Sequence, residues 1–255
     1  MDMDFKIFYK KFLEIKERKW IKTKRKGYGG IGYTYECLIG KAEDTFFLPD
    51  YNGIEIKTLN EKSRSKLHLF SINPDGDYLF PMKRILNKLG YPDKKYRKYK
   101  IFNMDFNGAN YTNIGFYKLA IIEIDRRNEK INLAAKDYLG NNLNLNVSWS
   151  FNLLKERINL KLKKMVIIKA DNKIVNGDEY YYYKNIDYYK SKGFETFLEL
   201  LETGDISVEI KIGIKKDLKH FGEMKNRGAI FSIKRENIEK LFKKVPLNYF
   251  EYQLL

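Results

Sequence analysis

The stretch Pro49-Asp50-Tyr51-Asn52-Gly53-Ile54-Glu55-Ile56-Lys57-Thr58 reads as a tight turn running into a short strand. Gly53 accepts a positive φ and Asn52 tolerates one, so the pair supplies the turn. From Ile54 the residues alternate apolar and charged. Side chains two apart on a strand share a face. Glu55 and Lys57 therefore point together, and Ile54 and Ile56 point to the opposite side. Asp50, just before the turn, can fold back toward Glu55. Two carboxylates and one ammonium then surround one point, with the Ile56 carbonyl as a third oxygen beside Asp50 and Glu55. Such a set can hold a divalent cation and position a water against a phosphodiester. Mg²⁺ prefers one or two carboxylates plus water and phosphate oxygens. It lowers the pKa of its water and offsets charge developing on the phosphorus oxygens. The same alternation also serves as a solvated strand face with a weak ion pair, so the surrounding sequence has to decide.

The chain has 255 residues, enough for one large domain or two lobes sharing a sheet. Hydrophobic residues make up 44% and aromatics 15%, which supports a full core and excludes general disorder. The formal charge is +16, from 49 Lys and Arg against 33 Asp and Glu, and a polyanion is the natural partner of such a surface. A lysine-rich genome is a partial alternative source of that charge. Cys37 is the only cysteine, so there is no disulfide framework and no cysteine metal site. His68 and His220 stand far apart in sequence, which argues against zinc. Residues 1–5 lack the pattern of a signal peptide, and no apolar run reaches the roughly 20 residues of a membrane span. The expectation is a soluble protein of the cell interior.

Around the central stretch, Phe5, Phe8, Phe12, Ile15 and Trp20 recur at helical spacing over residues 4–20. The run Lys22-Thr23-Lys24-Arg25-Lys26 then feeds the glycine-rich Gly27 to Gly32, a loop whose backbone can approach phosphates. It lacks the ending of a P-loop and equally fits a flexible basic loop. A helix is expected over Tyr33–Ala42, carrying Glu36 within reach of Asp50 and Glu55. Pro81–Leu89 reads as a helix ending at Gly90. Lys94–Lys100 is basic with Tyr96 and Tyr99 interleaved, suited to tracking a phosphate backbone. Ile101–Phe106, Tyr117–Ile124, Lys130–Ala135 and Asn144–Val147 read as a strand meander. Ser150 caps a helix over Phe151–Lys163. Met165–Ile168 reads as a buried strand and Tyr180–Tyr183 as an aromatic one. Phe194–Leu201 is helical. Val208–Ile214 and Ala229–Ile233 form a hairpin whose long loop carries Lys219, His220, Glu223, Lys225, Asn226 and Arg227 at its tip. These are side chains that read base edges, with Arg to guanine and Glu to cytosine favoured.

These segments together resemble the MvaI/BcnI group of MutH-like type II restriction endonucleases. The resemblance is carried by Thr23-Lys24-Arg25-Lys26-Gly27, Gly30-Ile31-Gly32, Glu36, Pro49-Asp50 and Ile54-Glu55-Ile56-Lys57-Thr58. It continues through Trp149-Ser150-Phe151, Gly204-Asp205-Ile206, Ile210-Lys211-Ile212-Gly213 and Gly228-Ala229-Ile230-Phe231, in the family's order. It implies an α/β (α+β) PD-(D/E)xK fold, a mixed sheet flanked by helices in a two-lobed clamp. The catalytic lobe is expected over 1–150 and the recognition lobe over 151–255. It puts catalytic roles on Asp50, Glu55, Lys57 and Glu36, and phosphate contacts on Lys24, Arg25 and Lys26. The expected metal is Mg²⁺, with Mn²⁺ substituting and Ca²⁺ inhibiting. The expected partners are double-stranded DNA and, functionally, a cognate DNA methyltransferase; the enzyme is expected to be a monomer acting off the membrane. Relatives often carry His before the recognition-loop glycine, where this chain has Arg227, which implies a site other than CCWGG or CCSGG.

The reading is therefore a Mg²⁺-dependent, sequence-specific double-strand DNA endonuclease. A MutH-type nicking enzyme is the rival within nucleases and predicts nicked plasmid. A DNA-binding module with a spent site predicts binding without cleavage, against the intact Asp50, Glu55 and Lys57. An RNA-binding protein would prefer single strands, and no RNA-binding motif is present.

Overall fold

The computed structural model describes residues 2–27, 29–41, 48–61, 63–77 and 79–248. In chain order the elements begin α1 (Met3–Glu17), β1 (Ile21–Lys22), α2 (Gly30–Leu38), β2 (Glu55–Asn60), β3 (Leu67–Ile72), α3 (Phe80–Leu89), β4 (Tyr91–Pro92) and β5 (Lys100–Phe106). They continue with β6 (Thr112–Ile114), β7 (Lys118–Asp125), β8 (Lys130–Asp137), β9 (Ser148–Ser150), α4 (Phe151–Lys161), β10 (Lys164–Val175) and β11 (Asp178–Ser191). The chain ends with α5 (Phe194–Glu202), β12 (Ile206–Ile214), β13 (Met224–Ile233), a short 3₁₀ turn, α6 (Ile238–Leu241) and β14 (Phe242–Val245). This is the mixed α+β architecture expected. Among the described residues no helix is long and apolar enough to cross a membrane.

The chain does not divide once near residue 150. It forms two interleaved compact units, one from residues 1–65, 158–193 and 241–255, the other from 66–157 and 194–240. The first unit is built on a sheet ordered β1-β11-β10-β2, with β14 also paired to β11. β2 and β10 run parallel, with Glu55 opposite Met165 and Lys57 opposite Ile167. Ile54 and Ile56 turn to the face where α1 and α2 bring Phe5, Phe8, Phe12 and Tyr35 into one core with Val166, Ile168 and Tyr183. Tyr183 is therefore core. α1 stops at Glu17, and Trp20 lies beyond it, partly exposed, with the Lys173 ammonium 4.3 Å over its ring. The expected helical tail to residue 20 is lost because Lys19 takes a positive φ of 57°.

The second unit holds a sheet ordered β3-β13-β12-β5-β4 and the meander β6-β7-β8-β9. The strand expected over 144–147 is absent, because Asn144 and Asn146 both take positive φ, 45° and 48°, which breaks an extended run. The meander closes instead on Ser148–Ser150. Ser150 does cap α4: its Oγ accepts from Leu153 N at 3.4 Å and donates to Asp75 at 3.1 Å.

Candidate active site

Asn52 and Gly53 both take positive φ, 41° and 77°. Tyr51 and Ile54 exchange backbone hydrogen bonds of 3.0 and 2.7 Å around them. A two-residue loop with both φ positive matches the twist of the strands it joins. It folds Asp50 back over the start of β2, where Asp50 Oδ2 accepts from the Ile56 amide at 2.8 Å. Glu55 and Lys57 share a face, and Lys57 Nζ donates to Glu55 Oε1 at 2.6 Å. Glu55 is only 4% exposed. Its ladder partner Met165 is buried too. A buried carboxylate is tolerated only with close partners.

Two lysines that the sequence reading did not single out supply those partners. Lys161 Nζ donates to Glu55 Oε2 at 2.8 Å and to the Leu48 carbonyl at 2.7 Å. Lys41 donates to Asp50 Oδ1. In sequence, Lys161 looks like a basic residue complementing a helix C-terminus. The signal that finds it is topological. β10 pairs in parallel register with β2 from Met165 onward, so the end of α4, just before β10, falls beside Glu55. The arrangement sets two carboxylates against three ammonium groups.

Glu36 sits on the side of α2 that faces β2. The point where a Gly32 side chain would begin lies 3.2 Å from Thr58 Oγ1 and 3.9 Å from Glu36 Oε1. α2 begins at Gly30, three residues earlier than expected, and ends at Leu38; Ala42 lies outside the described residues. Among the described residues no three of His, Cys, Asp and Glu gather as a metal cluster, so Glu36 does not join Asp50 and Glu55 as a third ligand. The donors that remain are hard oxygens, largely shielded from water and balanced by lysines. That chemistry fits a small divalent cation, which keeps much of its own water and takes few protein carboxylates.

The basic loop before α2 is tied down rather than loose. Thr34, fully buried, accepts from the Lys24 amide at 2.9 Å, and Thr23 Oγ1 donates to the Arg25 carbonyl at 2.6 Å. The Arg25 guanidinium lies 3.8 Å over the Tyr33 ring. The Lys24, Arg25 and Lys26 side chains are left exposed.

In the second unit the hairpin loop is shorter than expected. β13 begins at Met224, so Lys225, Asn226 and Arg227 are strand residues and the loop proper is 215–223. The longer loop was read because this stretch is polar; its alternation is nevertheless that of a strand, with Lys225 and Arg227 exposed and Asn226 half-buried. A bulge sets Arg227 and Gly228 opposite Lys211. Asn226 is spent on structure: its Nδ2 donates to Asn73 Oδ1 at 3.2 Å and its Oδ1 accepts from the Gly228 amide at 2.7 Å. Glu223 holds Lys215 at 2.7 Å, and His220 Nδ1 lies 2.8 Å from Asp217 Oδ1. Lys219 is exposed. Tyr96 and Tyr99, read as part of a phosphate-tracking segment, instead grip the loop, meeting Phe221 edge-on at 4.9 and 5.9 Å. Gly222 has φ +89°, and a side-chain carbon there would fall 2.3 Å from the Tyr99 ring. Beside the hairpin opens a cavity of about 240 Å³ lined by Asp93, Phe102, Asn103, Lys211, Lys216 and Arg227.

Residues 9–242 match the model of the MvaI/BcnI restriction endonuclease family. Among solved structures, the chain is similar to restriction endonuclease MvaI in complex with its cognate DNA substrate, at 29% identity and a TM-score of 0.86. That match covers 96% of this chain and 98% of the other. MvaI in the absence of DNA matches at 28% identity and a TM-score of 0.62, with the same coverage. No curated protein is matched.

Proposed function

The chain belongs to the MvaI/BcnI restriction endonuclease family and is a type II site-specific deoxyribonuclease, and we propose from that premise that it is Mg²⁺-dependent and cuts both strands of a short DNA site using Asp50, Glu55 and Lys57. The observation that carries this reading is the braced β2 set: Asp50 folded onto the Ile56 amide, Glu55 buried, Lys57 on its oxygen. Asp50, Glu55 and the Ile56 carbonyl would hold the cation. When bound, Mg²⁺ supplies an acidified water and offsets charge developing on the phosphate. Mn²⁺ supports the same reaction and Ca²⁺ supports binding without cleavage.

The rest is done by this chain's own side chains. Asp50 is fixed on one oxygen by a backbone donor and on the other by Lys41, so its carboxylate keeps one orientation. Lys57 shares the strand with Glu55 and presents a proton-bearing group on the same face, directed at the attacking water or the phosphate oxygens. Glu36, on the side of α2 that faces β2, would act as a further carboxylate beside the site without ligating the metal. Lys24, Arg25 and Lys26 contact phosphates from a loop pinned by Thr34. The unit of residues 66–157 and 194–240 does the reading, with Lys219, His220, Glu223, Lys225 and Arg227 at or near the hairpin. Arg227 implies a site unlike that of relatives with His there. The enzyme works as a monomer on double-stranded DNA inside the cell, beside a methyltransferase that protects the host's sites.

Digestion of a sequenced plasmid with Mg²⁺ tests this. The expected product is linear fragments whose ends share one short motif; nicked circles alone would favour a MutH-type enzyme. Glu55→Ala and Lys57→Ala should each reduce cleavage by at least about 10³-fold, yet retain DNA binding in Ca²⁺. Cleavage kept by either purified variant overturns the assignment.

A further inference from the structure

We propose that Lys161 is the resident counter-cation of Glu55: it occupies Oε2 while no metal is bound and yields that oxygen when a divalent cation arrives. This rests on the reading of Asp50 and Glu55 as metal ligands. Both Glu55 oxygens are taken by ammonium groups, Lys57 at 2.6 Å and Lys161 at 2.8 Å. With Lys41 on Asp50, the site holds three positive charges against two negative ones. A divalent cation placed on the same carboxylates meets like charge at contact range, and such repulsion is large where water is thin.

Lys161 is the ammonium built to move. Lys57 shares a strand with Glu55 and is tied to its direction. Lys161 reaches in from another element, the last turn of α4, on a long, flexible stem. It also has a second acceptor, the Leu48 carbonyl at 2.7 Å. An ammonium carries three donors. On leaving Glu55 it keeps a partner, so the movement is a swing about Leu48 rather than an expulsion. Before metal binds, the same contact offsets the cost of a carboxylate that is 4% exposed. One side chain thus stabilises the empty site and opposes filling it.

A purely structural tie predicts something different, and Lys161→Met separates the two. Methionine keeps the apolar stem and removes the charge. Mn²⁺ is titrated into DNA-free protein, with free ion followed by its electron paramagnetic resonance signal, and melting is recorded with chelator. The expected result is a lower melting temperature without metal but Mn²⁺ affinity on the order of tenfold tighter. Lys161→Arg should leave the affinity near that of the parent. Should the Met variant not fold, Lys161→Gln takes its place in the same titration. Glu55→Gln distinguishes the two ideas. If it binds Mn²⁺ like the parent, the metal-ligand reading fails. If it loses binding while Lys161→Met binds no tighter than the parent, the counter-cation role is overturned.

Discussion

Glu55 and Glu223 each hold a lysine at almost the same distance, 2.6 Å to Lys57 and 2.7 Å to Lys215. The settings could hardly differ more. The Glu55 side chain is 5% exposed and that of Glu223 54%. Around Glu55, partners arrive from β2 and from α4, more than a hundred residues apart in sequence. Around Glu223, the partner stands eight residues away in the same loop. The length of an ion pair says little about its worth; burial and the number of elements meeting there say more. The contrast also divides labour. Chemistry needs groups whose positions cannot drift, which is why we propose it for the place where the sheet, a helix end and a hairpin turn converge. Base reading needs groups that reach outward, which is why we propose it for a hairpin braced by Phe221 on Tyr96 and Tyr99.

If that division holds, the largest effect on DNA should come from the exposed side. Arg227→Ala leaves the fold intact, because the side chain is exposed on β13. It should weaken binding to the cognate site by roughly 10- to 100-fold, the value of one bidentate base contact. Binding to unrelated duplex should change far less. Competition binding at fixed salt measures both. An equal loss on cognate and unrelated DNA would make Arg227 a phosphate contact and remove the hairpin's claim to specificity.

The buried half was the more legible in sequence, which is less odd than it sounds. Asp50, Glu55 and Lys57 lie within eight positions, and their meeting depends on one turn and one strand. Local rules suffice: Asn52-Gly53 sets the turn, alternation sets the face. Lys41 and Lys161 obey no local rule. Lys161 reaches Glu55 only because β2 and β10 pair in parallel register although residues 66–157 intervene in sequence, and nothing in residues 155–163 announces it. The hairpin failed in the opposite way. Its polar composition suggested a loop through Gly228, but backbone pairing with β12 begins at Met224, because charged side chains can ride on the exposed face of a strand. The two-lobe boundary was misplaced for a topological reason too: the chain leaves the first unit after residue 65 and returns twice.

A second buried carboxylate sharpens the comparison by removing chemistry from it. Asp187 on β11 repeats the pattern of Glu55, one carboxylate between two lysines, with Lys169 and Lys244 each at 2.7 Å and the residue 9% exposed. Burial alone would raise its pKa, but the two ammonium groups more than offset that and hold the carboxyl below its usual range. A carboxyl lowered on folding adds stability above its unfolded pKa, and loses it as pH falls through the folded value. Asp187→Asn should therefore cost about 1–2 kcal/mol at neutral pH, discounted because both lysines are half exposed. The gap to the parent should narrow as pH falls from the unfolded carboxyl's value of about 3.9 through the lower folded value, and close once the aspartate is protonated in both states. Urea melts at a series of pH values measure it. A gap that persists undiminished in acid would mean the asparagine disturbs packing and the pair itself contributes nothing.

The smallest effect belongs to the exposed partner in the opening comparison. Lys215 holds the Glu223 carboxyl below its usual range too, chiefly through their hydrogen bond. Both side chains are well in water, and exchanging one solvated partner for solvent changes little. Glu223→Gln should leave the melting temperature where it was, at neutral and at acid pH alike. What should move is preference: a glutamate accepts from cytosine and a glutamine favours adenine, so the relative cleavage rates of near-cognate plasmid sites should reorder at one base pair. Melting curves beside a sequenced digest decide it. A Glu223→Gln protein that melts as early as Asp187→Asn would show that an ion pair on a loop can bind a fold as firmly as a buried one, and burial would no longer explain the placement proposed for the nuclease centre.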